Sequence, residues 1–247
     1  MSQKLLQGLA LAAVLTTGVG AMAKDQPPVA TGEFQYLLVG KRIGEERFRV
    51  FKGKKDYRVE STTTFYWPRP SQQEFEWELD RSLQPDELDH YLREGGKVVT
   101  VELRKKGKNW RSEIKGKDIK KVKQDMGQRQ SVEIDFGSPL FQWITFRHLK
   151  LVEGEKKGVE VILLETPEPK EPKVTRIKRT YTRLPDEDVQ AQVQGNVVAS
   201  VYEITQSESS YRLWLDPSGF PIRTERETPD GLLEIRLVRF DKHPRAW

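Results

Sequence analysis

Residues 74–79 read Glu74-Phe75-Glu76-Trp77-Glu78-Leu79, acid and apolar residue in strict turn. Side chains of a β-strand alternate between faces, so Phe75, Trp77 and Leu79 share one face and three glutamates the other. A helix would scatter the same residues around its circumference. The stretch therefore predicts a strand with one face in a core and one in water, as in an antiparallel sheet.

The same signature recurs on both sides of it. Upstream, residues 33–39, 45–51 and 57–66 are predicted strands, separated by turn-forming stretches at 40–44 and 53–55. The third is rich in β-branched and aromatic residues, and Trp67-Pro68-Arg69-Pro70 ends it because proline cannot donate to a ladder. Downstream, 88–93, 98–104 and 109–115 read as hairpin strands joined at Gly95-Gly96 and Gly107-Lys108, and 131–136 as a short strand. After a helical interruption come 158–165, 174–184, 196–206, 211–216, 220–227 and 232–240. Pro217-Ser218-Gly219 and Pro229-Asp230-Gly231 are turns in which proline presets φ and glycine admits positive φ. Residues 185–195 are polar and are predicted as a mobile loop.

The interruption is a helix at about 138–150. Ser138 is an N-cap, Pro139 stands at the first helical position, and Arg147, His148 and Lys150 suit the dipole of the last turn. Leu140, Phe141, Ile144 and Leu149 share a face, with Trp143 and Phe146 beside it. About a dozen strands with short connections make an antiparallel meander, and so large a sheet must curl, split or close. The predicted fold is all-β with one substantial helix: a single curved antiparallel sheet or half-barrel wrapping that helix. The proline-rich joint at 166–172 is read as bridging two strands of that sheet, so residues 24–247 form a single β-rich domain.

Two stretches carry a family resemblance. GEFQYLLVGKRIGEERFRVF at 32–51 sends a strand across a G-x-x-x-G turn, and SSYRLWLDPSGFPIRTERETPDGLLEIRLVRF at 209–240 feeds a W-x-D-x-x-G-x-P turn into two final strands. The layout resembles exported bacterial β-rich families of unknown function that are similar to the lipoprotein carriers. That resemblance implies a half-barrel around a helix, with a cavity that in the carriers holds acyl chains. It transfers no functional residue position by position.

Compartment and charge narrow the possibilities. Residues 1–23 have one lysine, an apolar stretch from Leu5 to Val19 and Ala21-Met22-Ala23 at the end, the three-part pattern of a cleavable secretory signal. The apolar stretch is short of the 20 or so apolar residues a membrane-spanning helix needs, and no later segment could span a bilayer. There is no cysteine, which excludes disulfides, thiolate metal sites and an N-terminal lipid anchor on cysteine. The expected location is the periplasm, with secretion as the alternative. The chain carries 42 Lys+Arg against 37 Asp+Glu; the signal holds one lysine and no acid, which leaves residues 24–247 at +4. The basic stretch at 104–123 is interspersed with acids and reads as the solvated face of a hairpin. No nucleic-acid motif is present, and no nucleic-acid partner is expected.

No catalytic motif emerges: no G-x-S-x-G elbow, H-E-x-x-H helix or phosphate-binding glycine loop. His90 follows Asp86, Glu87 and Asp89, but neighbours on a strand point to opposite faces and do not converge on a metal. No catalytic residue, metal or cofactor is assigned. The six tryptophans are the better clue, since aromatic side chains line pockets as well as cores. Trp77, Trp143, Phe146 and Trp214 are the candidate ligand-binding residues. Trp214 stands opposite Leu213 and Leu215 on its strand, so it meets a second layer or lies exposed. The leading expectation is a non-enzymatic exported protein that binds lipid or an exported protein in an apolar groove. The alternatives are an envelope assembly or structural protein, and a carboxylate-based hydrolase.

Overall fold

The computed structural model describes residues 26–117, 119–128, 132–165, 172–207 and 209–243. Residues 1–23, read as a secretory signal, Trp247 and nearly all of the 166–172 joint lie outside them. Eight strands come first: β1 (Ala30–Leu38), β2 (Lys41–Lys52), β3 (Asp56–Phe65), β4 (Ser71–Asp80), β5 (Pro85–Glu94), β6 (Lys97–Lys106), β7 (Asn109–Gly116) and β8 (Ile119–Gln128). The short β9 (Val132–Asp135) leads into α1 (Pro139–His148). Then follow β10 (Lys156–Glu165), β11 (Lys173–Arg183), β12 (Glu187–Ala191), β13 (Gly195–Gln206), β14 (Ser209–Leu215), β15 (Pro221–Thr228) and β16 (Gly231–Lys242).

These strands form one 16-stranded sheet in the order β8-β7-β6-β5-β4-β3-β2-β1-β16-β15-β14-β13-β11-β10-β9, with β12 branching from β13. Neighbours are antiparallel except β9 and β10, which run parallel. The sheet is open, but it curls far round. Its two edges, β8 and β9, are consecutive in the chain, and three residues reach no more than about 14 Å. Arg176 on β11 also donates to the Met126 carbonyl on β8 at 2.8 Å, across the gap. β10 and β11 pair from Lys156↔Thr182 to Glu165↔Lys173, so the strands flanking the proline-rich joint are partners in one sheet.

The alternation at 74–79 holds in three dimensions: Phe75, Trp77 and Leu79 are buried and the glutamates between them half-buried. Two strands were not anticipated. β8 carries a run of exposed residues from Lys120 to Asp125, which leaves no apolar rhythm to read. β12 corrects the expectation of a mobile loop at 185–195. It pairs with β13 from Glu187↔Ala199 to Ala191↔Gly195 and covers Trp214, whose Nε1 donates to Glu187 Oε2 at 2.8 Å. Trp214 thus meets a second layer, while Leu213 and Leu215 face the other way into a second hydrophobic cluster.

The helix lies inside the curl. Every residue from Pro139 to Phe146 is buried, as expected of a helix that is apolar nearly all round. Ser138 caps it, accepting from Leu140 N at 3.1 Å. Phe141 packs on Trp77 with ring centroids 4.6 Å apart, Trp143 on Phe220 at 5.6 Å, and Phe146 on Tyr202 at 4.2 Å. Each such side chain removed from water contributes roughly 1.5–3 kcal/mol. At Gly32 the sheet requires glycine: a Cβ there would stand 2.3 Å from the Phe48 ring and 2.8 Å from the Arg239 carbonyl oxygen.

Candidate functional site

At one end of the half-barrel the helix does not fill the interior, and a cavity of about 700 Å³ remains. It lies where β1, β3, β10 and β13 end and β2, β4, β14 and β16 begin, next to the start of α1. Its floor is polar and buried, its walls apolar and half-buried.

The floor centres on Asp135 at the end of β9. Its carboxylate pairs with Arg179 from β11, and only 4% of that guanidinium side chain is exposed. Gln142 Nε2 donates to Asp135 Oδ2 at 2.8 Å, and Gly137 N donates to Oδ1 at 2.8 Å. Arg179 Nε also donates to Gln206 Oε1 at 2.8 Å. Burial works against the charge on Arg179, but Asp135 beside it holds its pKa well above the usual guanidinium range. Among the described residues, Gln142 Oε1 has no hydrogen-bond partner. Three-quarters of this floor comes from the β9–α1 segment and β11, which the parallel and antiparallel pairing around β10 brings together.

A second carboxylate lies behind the floor. Glu46 on β2 is fully buried and accepts three hydroxyls: Tyr36 at 2.7 Å, Ser61 at 2.6 Å and Ser138 at 2.6 Å. Burial leaves its pKa raised, against the opposing pull of the three donors. A third, Glu133, accepts from Thr145 at 2.9 Å, and burial pushes its pKa up to about 7. Ser138, Gln142 and Thr145 stand at i, i+4 and i+7, one stripe of the helix. Each meets one of these carboxylates, so the stripe fixes the rotation of α1 inside the sheet.

The walls are Ile43, Leu163, Leu164, Leu233 and Ile235, with the rings of Phe65, Phe136, Tyr36 and Tyr211 among them. Gln73, Thr224 and Arg226 also line it. Hydrogen-bonding groups beneath a ring of hydrocarbon suit a ligand with a polar end and an apolar one.

The four aromatic residues singled out from the sequence do not line this cavity. Trp77, Trp143, Phe146 and Trp214 are all buried, and they are spread over the core rather than brought together. Trp77 stands behind the wall, since Phe141 bridges it to Phe136. His90 is buried between Phe75 and Phe136, its pKa lowered to about 4 by that burial, while Asp89 is taken by Arg104. The strand register thus separates the imidazole from the acids beside it in sequence. The polar residues that line this cavity or lie behind its floor are in phase with apolar neighbours. Glu46 shares its face with Phe48 and Val50, and the polar stripe of α1 interrupts a helix that is otherwise hydrophobic. That phase is visible in the sequence and was the signal to follow.

Comparison with known proteins gives the following. A family profile described as "putative glycolipid-binding" matches residues 40–226, well over half of the chain. Among solved structures, a β-barrel-like protein of the domain of unknown function DUF1849 from Brucella abortus superposes with a TM-score of 0.51 at 9% identity. That alignment covers 87% of this chain and 97% of that one. A DUF1089 family protein from Pseudomonas aeruginosa gives a TM-score of 0.46 at 17% identity, covering 85% and 95%. The Brucella structure supports the fold. No curated protein matches the chain.

Proposed function

This chain belongs to the family described as "putative glycolipid-binding", and on that footing we propose that it is an exported, non-enzymatic protein that holds the polar head of a glycolipid in the cavity beside α1. The observation that carries the reading is the layering of the cavity: Asp135, Arg179, Gln142 and Gln206 below, aliphatic walls above. A sugar head brings several hydroxyls, each both donor and acceptor, and the floor offers amide, guanidinium and carboxylate partners. The first carbons of the attached chain would lie along Leu163, Leu164 and Leu233. Trp77, Trp143, Phe146 and Trp214 serve this site from behind, keeping the sheet and helix that shape it rigid.

Titration with an alkyl glycoside below its micelle concentration tests the reading. The intact amphiphile should bind more tightly than either the free sugar or a fatty acid of the same chain length. Gln142→Leu should weaken the glycoside and leave the fold intact. Equal affinity for the glycoside and the fatty acid would defeat the headgroup assignment. Residues 1–23, read as a secretory signal, support a place in the periplasm for residues 24–247.

A further inference from the structure

Two amides in the cavity floor have fixed orientations, because each is bonded to an ion. Gln142 Nε2 donates to Asp135 at 2.8 Å, so Gln142 Oε1 is turned away from it and has no donor among the described residues. Gln206 Oε1 accepts from Arg179 Nε at 2.8 Å, so Gln206 Nε2 is left as a donor, with no acceptor among the described residues. Neither amide can turn over without breaking its bond to the ion. The Asp135–Arg179 pair is thus flanked by one unused acceptor and one unused donor. The hydroxyls of Tyr211 and Thr224 and the amide of Gln73 also line the cavity. Each can donate and accept, and none makes a side-chain hydrogen bond among the described residues.

Charge adds a second constraint. The ionised side chains along the lining are Asp135, Glu165, Arg179 and Arg226, two of each sign. In the floor, Asp135 and Arg179 neutralise each other. Away from that pair, Glu165 accepts from Thr175 at 3.2 Å, and Arg226 is exposed to water. A head bearing a carboxylate, a phosphate or an ammonium group would lose its water in the floor and find no spare opposite charge there. Anionic oxygens cannot donate to Gln142 Oε1, and an ammonium cannot accept from Gln206 Nε2. A hydroxyl does both.

We propose that the cavity selects an uncharged saccharide head, a sugar that presents hydroxyls alone, with hydroxyl groups completing the amides of Gln142 and Gln206. The inference rests on the cavity reading above and narrows it from glycolipids at large to neutral ones. The Asp135–Arg179 pair then sets the selectivity by cancelling its own charge, and the two amides set it by offering one partner of each kind.

Three amphiphiles of one chain length that differ only at the sugar's sixth carbon test the selection: an alkyl glucoside, its glucuronide and its 6-amino-6-deoxy analogue. Each is titrated below its micelle concentration, at pH 7, into the chain freed of residues 1–23. The glucoside should bind at least about tenfold more tightly than either charged analogue, and added salt should leave its affinity unchanged. Asp135→Asn leaves Arg179 as a spare cation, and the glucuronide should then overtake the glucoside. Should that variant fail to fold, Gln73→Lys supplies a spare cation where no side-chain hydrogen bond is lost, and should narrow the gap between glucoside and glucuronide. A parent chain that binds the glucoside but takes a charged analogue as tightly overturns the selection and leaves the cavity reading standing. A parent chain that binds none of the three overturns both. A gap between glucoside and glucuronide that neither variant changes also overturns the selection by charge.

Discussion

Replacing Arg179 with methionine tests how the cavity floor is held. Arg179 and Asp135 are 4% and 7% exposed, and they join β11 to the end of β9. Methionine keeps most of the side-chain length but leaves the Asp135 carboxylate with only Gln142 Nε2 and Gly137 N as donors. Removing one partner of a buried pair typically costs about 3–5 kcal/mol, chiefly through the charge left behind. That is a large part of the roughly 5–15 kcal/mol that holds a domain folded. Converting the other partner as well, Asp135→Asn with Arg179→Met, removes the stranded charge. The asparagine Oδ1 still accepts from Gly137 N, and the Gln142 amide can turn to match it. The double variant should therefore lose about 2 kcal/mol or less, well below the sum of the two singles. Urea unfolding at pH 7, followed by the fluorescence of the buried tryptophans, reads all four corners of the cycle. An Arg179→Met variant within about 1 kcal/mol of the parent, or a double variant as unstable as the summed singles, refutes this account of the floor.

Glu133 makes stability depend on pH. Its pKa rises from 4.5 unfolded to about 7 folded. Below 4.5 both states hold the proton; between 4.5 and 7 only the folded state does, so stability falls as pH rises through that window, by about 3 kcal/mol in all. Glu133→Gln keeps an acceptor for Thr145 and should stabilise the chain strongly at pH 8 and hardly at pH 4.5, as measured by urea midpoints. Gly32→Ala should destabilise by about 1–3 kcal/mol, because the new methyl displaces Phe48 from its tilted contacts with Phe34 and Phe220; the melting temperature reports it. Intact mass of the chain recovered from the periplasm should begin at Lys24; a chain retaining residues 1–23 would contradict the signal reading.

Much of the fold was legible because β-alternation is a local signal. The 74–79 stretch, the hairpin glycines and the all-round apolar helix each named their element without help from the rest of the chain. β8 escaped for a physical reason. It is an edge strand, and edge strands carry lysines that discourage pairing with other chains, so Lys120, Lys121 and Lys123 hide the period. β12 escaped because five residues, only Val189 and Ala191 apolar, are too few to show one. The cavity was not anticipated because aromatic residues were weighed as the ligand contacts, and Trp77, Trp143, Phe146 and Trp214 are buried in the core and do not line it. The cavity's own mark in the sequence is Asp135 beside the buried Ile134, with Glu46 in phase with Phe48 and Glu133 before Ile134 marking the carboxylates behind it. Even so, 44 residues separate Asp135 from Arg179. No local pattern joins them; only the register of β9, β10 and β11 does.

The position of the cavity follows from two lengths. A ten-residue strand such as β3 spans about 33 Å, whereas the ten residues of α1 span about 15 Å. Whatever its tilt, the helix can fill only part of the interior. Its C-terminal half takes the apolar part, where Phe146 and Leu149 join Tyr181, Ile204 and Leu213. Its N-terminus is therefore left facing the space that remains, and Gly137, at a φ of 90° that side chains disfavour, marks where it stops. The first turn of a helix presents backbone N–H groups and the positive end of the dipole. Asp135 and Glu46 gather beside it, Asp135 accepting from Gly137 N and Gln142 Nε2 and Glu46 from the Ser138 hydroxyl, and Arg179, Tyr36 and Ser61 join them. A polar floor at this end is thus a consequence of a helix too short for its sheet.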